Sequence, residues 1–169
     1  INMASVFVTL ALLAVLVVAM TSLNTPDTLD RRLQETSVAL ALAKAIDDLP
    51  SRFTAVYQHA LSVMEMGDLD KLDTSLTELE TIAAHTGLPF QWWQVFMLRS
   101  WRHLLAGRAQ EAEADANALL DIGTRMGHPL TGAIYGAQFL QRCQQQGRLA
   151  DIVEFAVQAL EENPTLPAF

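Results

Sequence analysis

The sequence contains little cysteine and few basic residues, and both shortages exclude classes of protein. Cys143 is the only cysteine among 169 residues, so neither an internal disulfide nor a metal cluster held by several thiolates can form. We predict an inert helix cysteine in a cytoplasmic chain. Lysine and arginine total 11 against 19 acidic residues, giving a net charge of -8 without any basic run. Direct nucleic-acid binding is therefore not expected, because phosphate contacts need a positive patch.

Motifs for phosphate, dinucleotide and nucleophile chemistry are also missing. The sequence has no G-x-x-x-x-G-K-[ST], no G-x-G-x-x-G and no G-x-S-x-G. The four histidines are scattered without the i,i+4 pairing of a zinc helix. We therefore predict that this segment is not an enzyme and that it has no catalytic residues, no cofactor and no metal site.

Two groups of acidic residues could suggest binding sites, but we predict that both have structural roles. The group at 68–73 lacks the glycine and the distal glutamate of a calcium loop, so we interpret it as a helix cap followed by solvated acids. We interpret the group at 111–115 as the outer face of a helix. The residues concerned are Asp68, Asp70 and Asp73 in the first group and Glu111, Glu113 and Asp115 in the second.

Helix-breaking residues recur with a period of about forty. The glycines at this period are Gly67, Gly107 and Gly147, and the prolines are Pro50, Pro89, Pro129 and Pro167. Two interleaved breakers with one period indicate a two-helix unit that is repeated about four times, the pattern of a helical solenoid. With 51% hydrophobic residues the chain can bury a core, so we predict a single all-α domain over residues 1–169.

The breakers predict eight helices in four hairpins, at 4–22 and 26–46, 51–66 and 68–86, 89–106 and 108–126, and 130–146 and 148–162. The repeats are then 4–46, 51–86, 89–126 and 130–162, with the next repeat cut at 167–169. We expect Ser51 and Asp68 to be N-caps, and Gly87 and Gly127 to be C-caps. Thr25 is expected to cap the helix that begins at Pro26.

Core positions follow the same period. Residues five, nine and twelve positions after each repeat glycine lie on one helical face and are predicted to be buried. They are Leu72, Ala112 and Ile152, then Leu76, Ala116 and Ala156, then Leu79, Leu119 and Ala159. Aromatic residues on the first helix of each hairpin are predicted to pack between hairpins. They are Phe53, Tyr57, Phe90, Trp93, Phe96, Tyr135 and Phe139.

The segment from Ala4 to Met20 is apolar except for two residues, and it has three interpretations. A signal peptide would need a basic n-region, which is absent. A membrane span is the alternative, but the segment is short and has no Lys or Arg flank before Arg31. We favour a buried first helix. In an isolated fragment its apolar surface would favour self-association. The start at Ile1 and the end in LPAF lead us to expect a fragment of a longer protein.

The repeats resemble tetratricopeptide-like repeats lengthened to about forty residues. GRAQEAEADANALL carries the glycine, the alanine five positions later and the following apolar residue of such repeats. Over nearly the whole chain, the order of segments such as ALSVMEMGDLDKLDTSLTELETIA and FQWWQVFMLRSWRHLLAGRAQEAEADA is similar to the helical-repeat regions of large bacterial signalling proteins. Those proteins carry an AAA/STAND-type ATPase together with a nucleotide cyclase or a LuxR-type helix-turn-helix domain. The resemblance implies a right-handed α-solenoid and assigns no catalytic residues to this region.

One segment, PFQWWQVFMLRSWRH, combines tryptophan and arginine, the residue types that often anchor interfaces. First helices line the concave surface of tetratricopeptide-type solenoids. We therefore predict a protein-binding groove lined by Trp92, Arg99 and Arg102, with Gln138 and Arg142 one repeat later.

The function expected from these observations is a non-catalytic interaction and regulatory module of a multidomain signalling ATPase. Its expected partners are the ATPase and output domains of the same protein, or a peptide or protein effector. The alternative is a membrane-anchored helical-repeat assembly protein in which residues 4–20 form the span.

Overall fold

The computed structural model describes residues 26–45, 48–148 and 150–153, and this part of the chain is helical without any strand. Its six helices are α1 (Pro26–Lys44), α2 (Leu49–Glu65), α3 (Leu69–Thr86), α4 (Pro89–Leu105), α5 (Ala109–Met126) and α6 (Thr131–Gln145). The predicted all-α class is confirmed, and the predicted bounds of these helices agree to within two residues at each end. The predicted helix at 4–22 and most of the one at 148–162 lie outside the described residues, as does Thr25.

Glycine ends each helix from α2 to α6. Gly67, Gly87, Gly107, Gly127 and Gly147 follow one another every twenty residues and all have φ between 65° and 76°. Only glycine adopts this left-handed conformation without a steric cost, so it terminates a helix and reverses the chain. The predicted C-caps are confirmed: the Gly87 amide, for example, donates to the Ala83 carbonyl at 2.9 Å.

The N-caps confirm one prediction and correct another. Asp68 caps α3 as predicted, with its carboxylate accepting from the Lys71 amide at 3.1 Å. Ser51 is not the cap of α2, because that helix begins at Leu49 and includes Pro50 in its first turn. The cap is Asp48, whose carboxylate accepts from the Ser51 amide at 2.9 Å. Proline is tolerated in a first turn, where its missing N–H would have no partner in the helix.

The core follows the predicted positions wherever the structure describes them. Every one of these positions on α3 and α5 is buried: Leu72, Leu76, Leu79, Ala112, Ala116 and Leu119. Ile152 is half-buried, and Ala156 and Ala159 lie outside the described residues. The small residues on α5 permit the predicted close approach to α4, because the Ser100 hydroxyl reaches the Ala112 carbonyl at 2.9 Å.

Of the predicted aromatic set, Tyr57, Phe90 and Trp93 contact residues beyond their own hairpin, and the degree of burial differs across the set. Phe53, Tyr57 and Trp93 are buried, and burial raises the pKa of Tyr57 to about 12. Phe90 is 46% exposed, yet its ring lies 5.8 Å from that of Trp93 and 5.6 Å from that of His128. It therefore packs across the start of the next repeat at the edge of the structure. The remaining three aromatic residues are half-buried.

Helix packing alternates along the chain. Each helix packs against its neighbours in sequence, and α4 also contacts both α2 and α6. Within the described residues, no Cα atom of α1 lies within 8 Å of one in α3, and none of α3 lies within 8 Å of one in α5. The helix α1 reaches α3 through the ion pair of Lys44 with Glu78. Two glutamines join α6 to α4: Gln138 Nε2 donates to the Met97 carbonyl at 3.1 Å, and Gln145 Nε2 donates to the Leu104 carbonyl at 3.2 Å. The helices α2, α4 and α6 therefore form one row.

A glycine inside α5 sets how closely α6 can approach. Gly123 is buried, and a β-carbon placed on it would overlap the side chain of Thr131 at the start of α6. The hydrogen atom of glycine is therefore required for this contact, even though alanine is the better helix former. Gly132 has nothing within 4 Å of the corresponding position.

We expect Gly123→Ala to lower the free energy of unfolding by about 1–3 kcal/mol, because overpacking costs more than helix propensity returns. Urea denaturation measures the difference. Gly132→Ala is the control and is expected to be neutral or stabilising. Thr131→Ala removes the two nearest atoms but keeps the β-carbon of residue 131, 2.8 Å from the added one, so it should restore part of the lost stability in the Gly123→Ala background. An unchanged midpoint for Gly123→Ala alone would contradict the contact.

The cap of α2 should make stability depend on pH. Hydrogen bonds from the hydroxyl and the backbone amide of Ser51 lower the pKa of Asp48 below its usual value. A carboxylate with a lowered folded-state pKa stabilises the fold above the unfolded pKa and loses this effect as the pH falls through the folded value. We expect Asp48→Ala to cost about 1 kcal/mol at pH 7 and progressively less as the pH falls through the folded-state pKa of Asp48. Urea unfolding of the wild type and of Asp48→Ala at a series of pH values from 7 downward tests this expectation. Ser51→Ala keeps the backbone N–H donor and should lose less stability than Asp48→Ala.

Candidate functional site

The helix α4 lies at the centre of the described structure and carries the tryptophan and arginine residues singled out in the sequence. It contacts α2, α3, α5 and α6. Its side chains therefore face two different environments. One side meets α3 and α5, the second helices of their hairpins, and the other meets α2 and α6, which are first helices. The chemistry of α4 differs between these two sides.

An ion-pair network, which we call the Arg99 network, joins α4 to α3 and α5. The Nε of Arg99 lies 3.0 Å from both carboxylate oxygens of Asp115, and its Nη2 also contacts Asp115. Its Nη1 donates to Glu80 at 2.9 Å. The bonds to Asp115, and more weakly those to Glu80, raise the pKa of Arg99, which stays charged. One guanidinium thus connects three helices.

The position of Asp115 corrects the prediction that residues 111–115 form an outer face. Glu111 and Glu113 are exposed as expected, but the side chain of Asp115 is only 6% exposed. A carboxylate is tolerated there because Arg99 neutralises it through hydrogen bonds. His103 lies nearby, with its Nδ1 3.1 Å from Asp115 but not aligned for a hydrogen bond.

A second arginine of α4 also faces α3. Arg102 binds Asp73 through two contacts of 2.8 Å, one from Nε and one from Nη2. This bidentate pair raises the pKa of Arg102. Asp73 was interpreted as a solvated acid, and it is half exposed, but it also links α3 to α4. Asp70 is exposed as expected.

The five residues predicted to line a groove do not share one open surface. Arg99 and Arg102 bind acids on second helices, and Trp92 is half-buried against the core with its ring 5.7 Å from that of Phe96. Gln138 and Arg142 are 0% and 3% exposed. The arginines were predicted to line a groove because arginine often anchors interfaces and first helices line the concave surface of such solenoids, whereas their carboxylate partners were not evident from the sequence.

The side of α4 toward α2 and α6 carries a different set, which we call the first-helix face. Its members recur every three or four positions and so share one side of the helix: Phe90, Gln94, Met97, Trp101 and Leu105. Met97 lies between the neighbouring helices, with its sulfur 3.9 Å from the Tyr57 hydroxyl and its carbonyl bonded to Gln138. Leu105 is 54% exposed, and Trp101 is half-buried. The same spacing in the sequence is a signal that the prediction did not use.

A cavity of about 640 Å³ lies elsewhere, between the start of α2 and one side of α3. Its charged groups neutralise each other: Arg52 binds Glu78 at 2.6 Å, and Lys44 lies 3.7 Å from the same carboxylate. Three threonines on its wall each donate a hydroxyl to the backbone carbonyl of α3 that lies four residues earlier: Thr74, Thr77 and Thr81. These threonine hydroxyls are therefore engaged with the backbone, and His85 is the remaining ionisable residue of the lining.

Within residues 26–45, 48–148 and 150–153, no three His, Cys, Asp or Glu side chains are grouped to hold a metal ion. No helix in these ranges has both the length and the hydropathy needed to cross a bilayer. The apolar segment from Ala4 to Met20 lies outside them. Cys143 is buried in α6.

Comparison of the chain with protein-family models, with curated proteins and with solved structures found no match. The resemblance to the repeat regions of signalling ATPases therefore stays a prediction.

The Arg99 network should contribute measurably to stability. We expect Asp115→Ala to lower the free energy of unfolding by about 2–3 kcal/mol, because it leaves Arg99 without its main acceptor. The matched control is Asp121→Ala, which removes an exposed i,i+4 pair with Arg125 and should cost less than about 0.5 kcal/mol. A double-mutant cycle with Arg99→Met measures the coupling. Additive losses would show that the pair contributes nothing.

Proposed function

We propose that this chain is a non-catalytic, tetratricopeptide-like right-handed α-solenoid that serves as a protein-interaction and regulatory module in a multidomain bacterial signalling ATPase. The observation that carries the proposal is the alternation of helix contacts. The first helices α2, α4 and α6 pack against one another in a row, whereas within the described residues no Cα atom of α1 lies within 8 Å of one in α3, and none of α3 lies within 8 Å of one in α5. The forty-residue period of glycine and proline extends this arrangement along the sequence.

Such an alternation favours a curved surface. When every hairpin packs more closely through its first helix than through its second, the stack bends toward the first helices, and they line its concave side. The first-helix face of α4 would then lie in the middle of that side. Its half-buried Trp101 and exposed Leu105 are an aromatic and an aliphatic group of the kind that anchors partner segments.

The proposed mechanism is regulation by docking. The module would hold the ATPase or output domain of the same protein in one arrangement. A peptide or protein effector would bind preferentially to the released arrangement of the module. Such an effector shifts the population by the difference between its affinities for the two states. The rigid Arg99 network suits this role, because α3, α4 and α5 would move as a unit when the surface is engaged.

The reading frame on both sides of this chain provides the first test. A P-loop ATPase upstream, with a cyclase or helix-turn-helix domain in the same frame, is the expected result. A start codon at Met3 followed by a stop soon after Phe169 would overturn the proposal as stated.

We expect substitutions on the first-helix face to weaken regulation of the whole protein. Trp101→Ala combined with Leu105→Glu should raise the effector concentration for half-maximal response by at least about tenfold, the effect of removing a binding anchor. The readout is ATPase or output activity against effector concentration. Glu111→Gln, on the exposed side of α5, is the control and should respond like wild type. An unchanged response of the double variant would place the binding surface elsewhere.

A further inference from the structure

Arg142 is the one fully buried arginine of the described residues that has no carboxylate partner. Its side chain lies in α6, the residue is 3% exposed, and neither Nη1 nor Nη2 has a hydrogen-bond partner. By contrast, the two arginines of α4, Arg99 and Arg102, each bind an acid. A buried guanidinium without an acceptor is strongly unfavourable, because the charge has lost its water and gained no counter-charge. Such a group in a folded protein points to an acceptor that binds there.

Two aromatic rings hold the guanidinium in place but leave Nη1 and Nη2 without a hydrogen-bond partner. Its central carbon lies 5.8 Å from the ring centroids of both Tyr135 and Phe139. The Tyr135 hydroxyl in turn bonds Asn117 of α5 at 3.3 Å. Cation–π contacts use the face of the guanidinium, whereas its hydrogen-bond donors point outward in its plane. The rings therefore orient a donor fork without occupying it.

An unpaired acceptor lies one helical turn before this donor. Gln138 is 0% exposed, and its Nε2 donates to the Met97 carbonyl, so the amide orientation is determined. Its Oε1 is buried without any donor. Residues i and i+4 share one side of a helix, so the acceptor of Gln138 and the donor fork of Arg142 are neighbours on α6.

We propose that Arg142 and Gln138 form a carboxylate-binding site on α6. The guanidinium would bind the carboxylate through a bidentate fork, and the Gln138 oxygen would accept an N–H group of the same ligand. This combination matches the end of a peptide, where a carboxylate adjoins an amide N–H. A carboxylate is favoured over a phosphate dianion, because one negative charge neutralises Arg142, whereas two would leave a buried excess in a chain of net charge -8. The site does not depend on the first-helix face of α4.

A matched pair of ligands tests the site on the complete 169-residue chain. The probe is N-acetyl-alanyl-alanine with a free carboxylate, and its control is the corresponding carboxamide, both at constant ionic strength and pH. We expect the carboxylate to raise the thermal midpoint in a saturable manner and the carboxamide to have no effect. Calorimetric titration then gives the affinity. A response of equal size to the carboxamide, or to inorganic phosphate, would overturn the proposal.

Variants connect the effect to the residues. Arg142→Met should weaken binding by about 10- to 100-fold, the loss of a charged hydrogen-bond pair. Arg142→Lys keeps the charge without the fork and should give an intermediate affinity. Arg125→Gln, an exposed arginine of α5, should bind like wild type. Binding unaffected by Arg142→Met would overturn the assignment even if the peptide stabilises the protein.

The carboxylate could also come from the chain itself, since Glu154, Glu161 and Glu162 follow the described helices. In that case added peptide has no effect, and one of the three Glu→Gln variants lowers the thermal midpoint as much as Arg142→Met does. The variant that combines this Glu→Gln substitution with Arg142→Met then loses no more thermal stability than either single variant. That outcome supports the carboxylate site with an internal source. The site does not exist if three results occur together: no peptide binds, no Glu→Gln variant acts in this way, and Arg142→Met is as stable as wild type.

Discussion

A glycine in the left-handed conformation every twenty residues determines where the helices from α2 to α6 end, and the rest of the structure depends on this spacing. Because Gly67, Gly87, Gly107, Gly127 and Gly147 stand twenty residues apart, successive helices have nearly equal lengths and reverse direction at regular positions. Equal helices joined by short turns place equivalent positions of each hairpin at the same level of the stack. This constraint is what allows Met97 on α4 to meet Tyr57 and Gln138, forty and forty-one residues away.

Polar contacts add specificity to this frame and are concentrated around α4. Apolar packing on α4 uses tryptophan, valine and leucine positions that many arrangements would satisfy. The Arg99 network is more selective, because a charge buried between three helices is tolerated only when Asp115 and Glu80 are correctly placed. The bidentate pair of Arg102 and Asp73 adds a second such link between α4 and α3. These bonds make the position of α4 specific, and this position orients the surface proposed for binding.

The candidate site was predictable only in part. The sequence correctly indicated that α4 is the helix richest in interface-type residues, since tryptophan and arginine are visible in composition alone. It did not show which side of α4 is open, because the partners of Arg99 and Arg102 lie on other helices, α3 and α5, and the sequence does not show which of their side chains meet α4. Asp115 was misplaced for the same reason: an acid in a polar segment looks solvent-exposed until its counter-charge is known. Gln138 and Arg142 were expected at a surface, yet both are buried.

The sequence by itself determined the secondary structure, the helix ends and the buried stripes. These features depend on local chemistry: glycine permits positive φ, capping carboxylates bind free amides, and apolar residues recur with the helical period. Only the tertiary structure decided the pairing of charges, the close contact between Gly123 and Thr131, and the isolation of Arg142. Each of these depends on which side chain from another helix occupies the neighbouring space, and a periodic pattern carries no information about that choice.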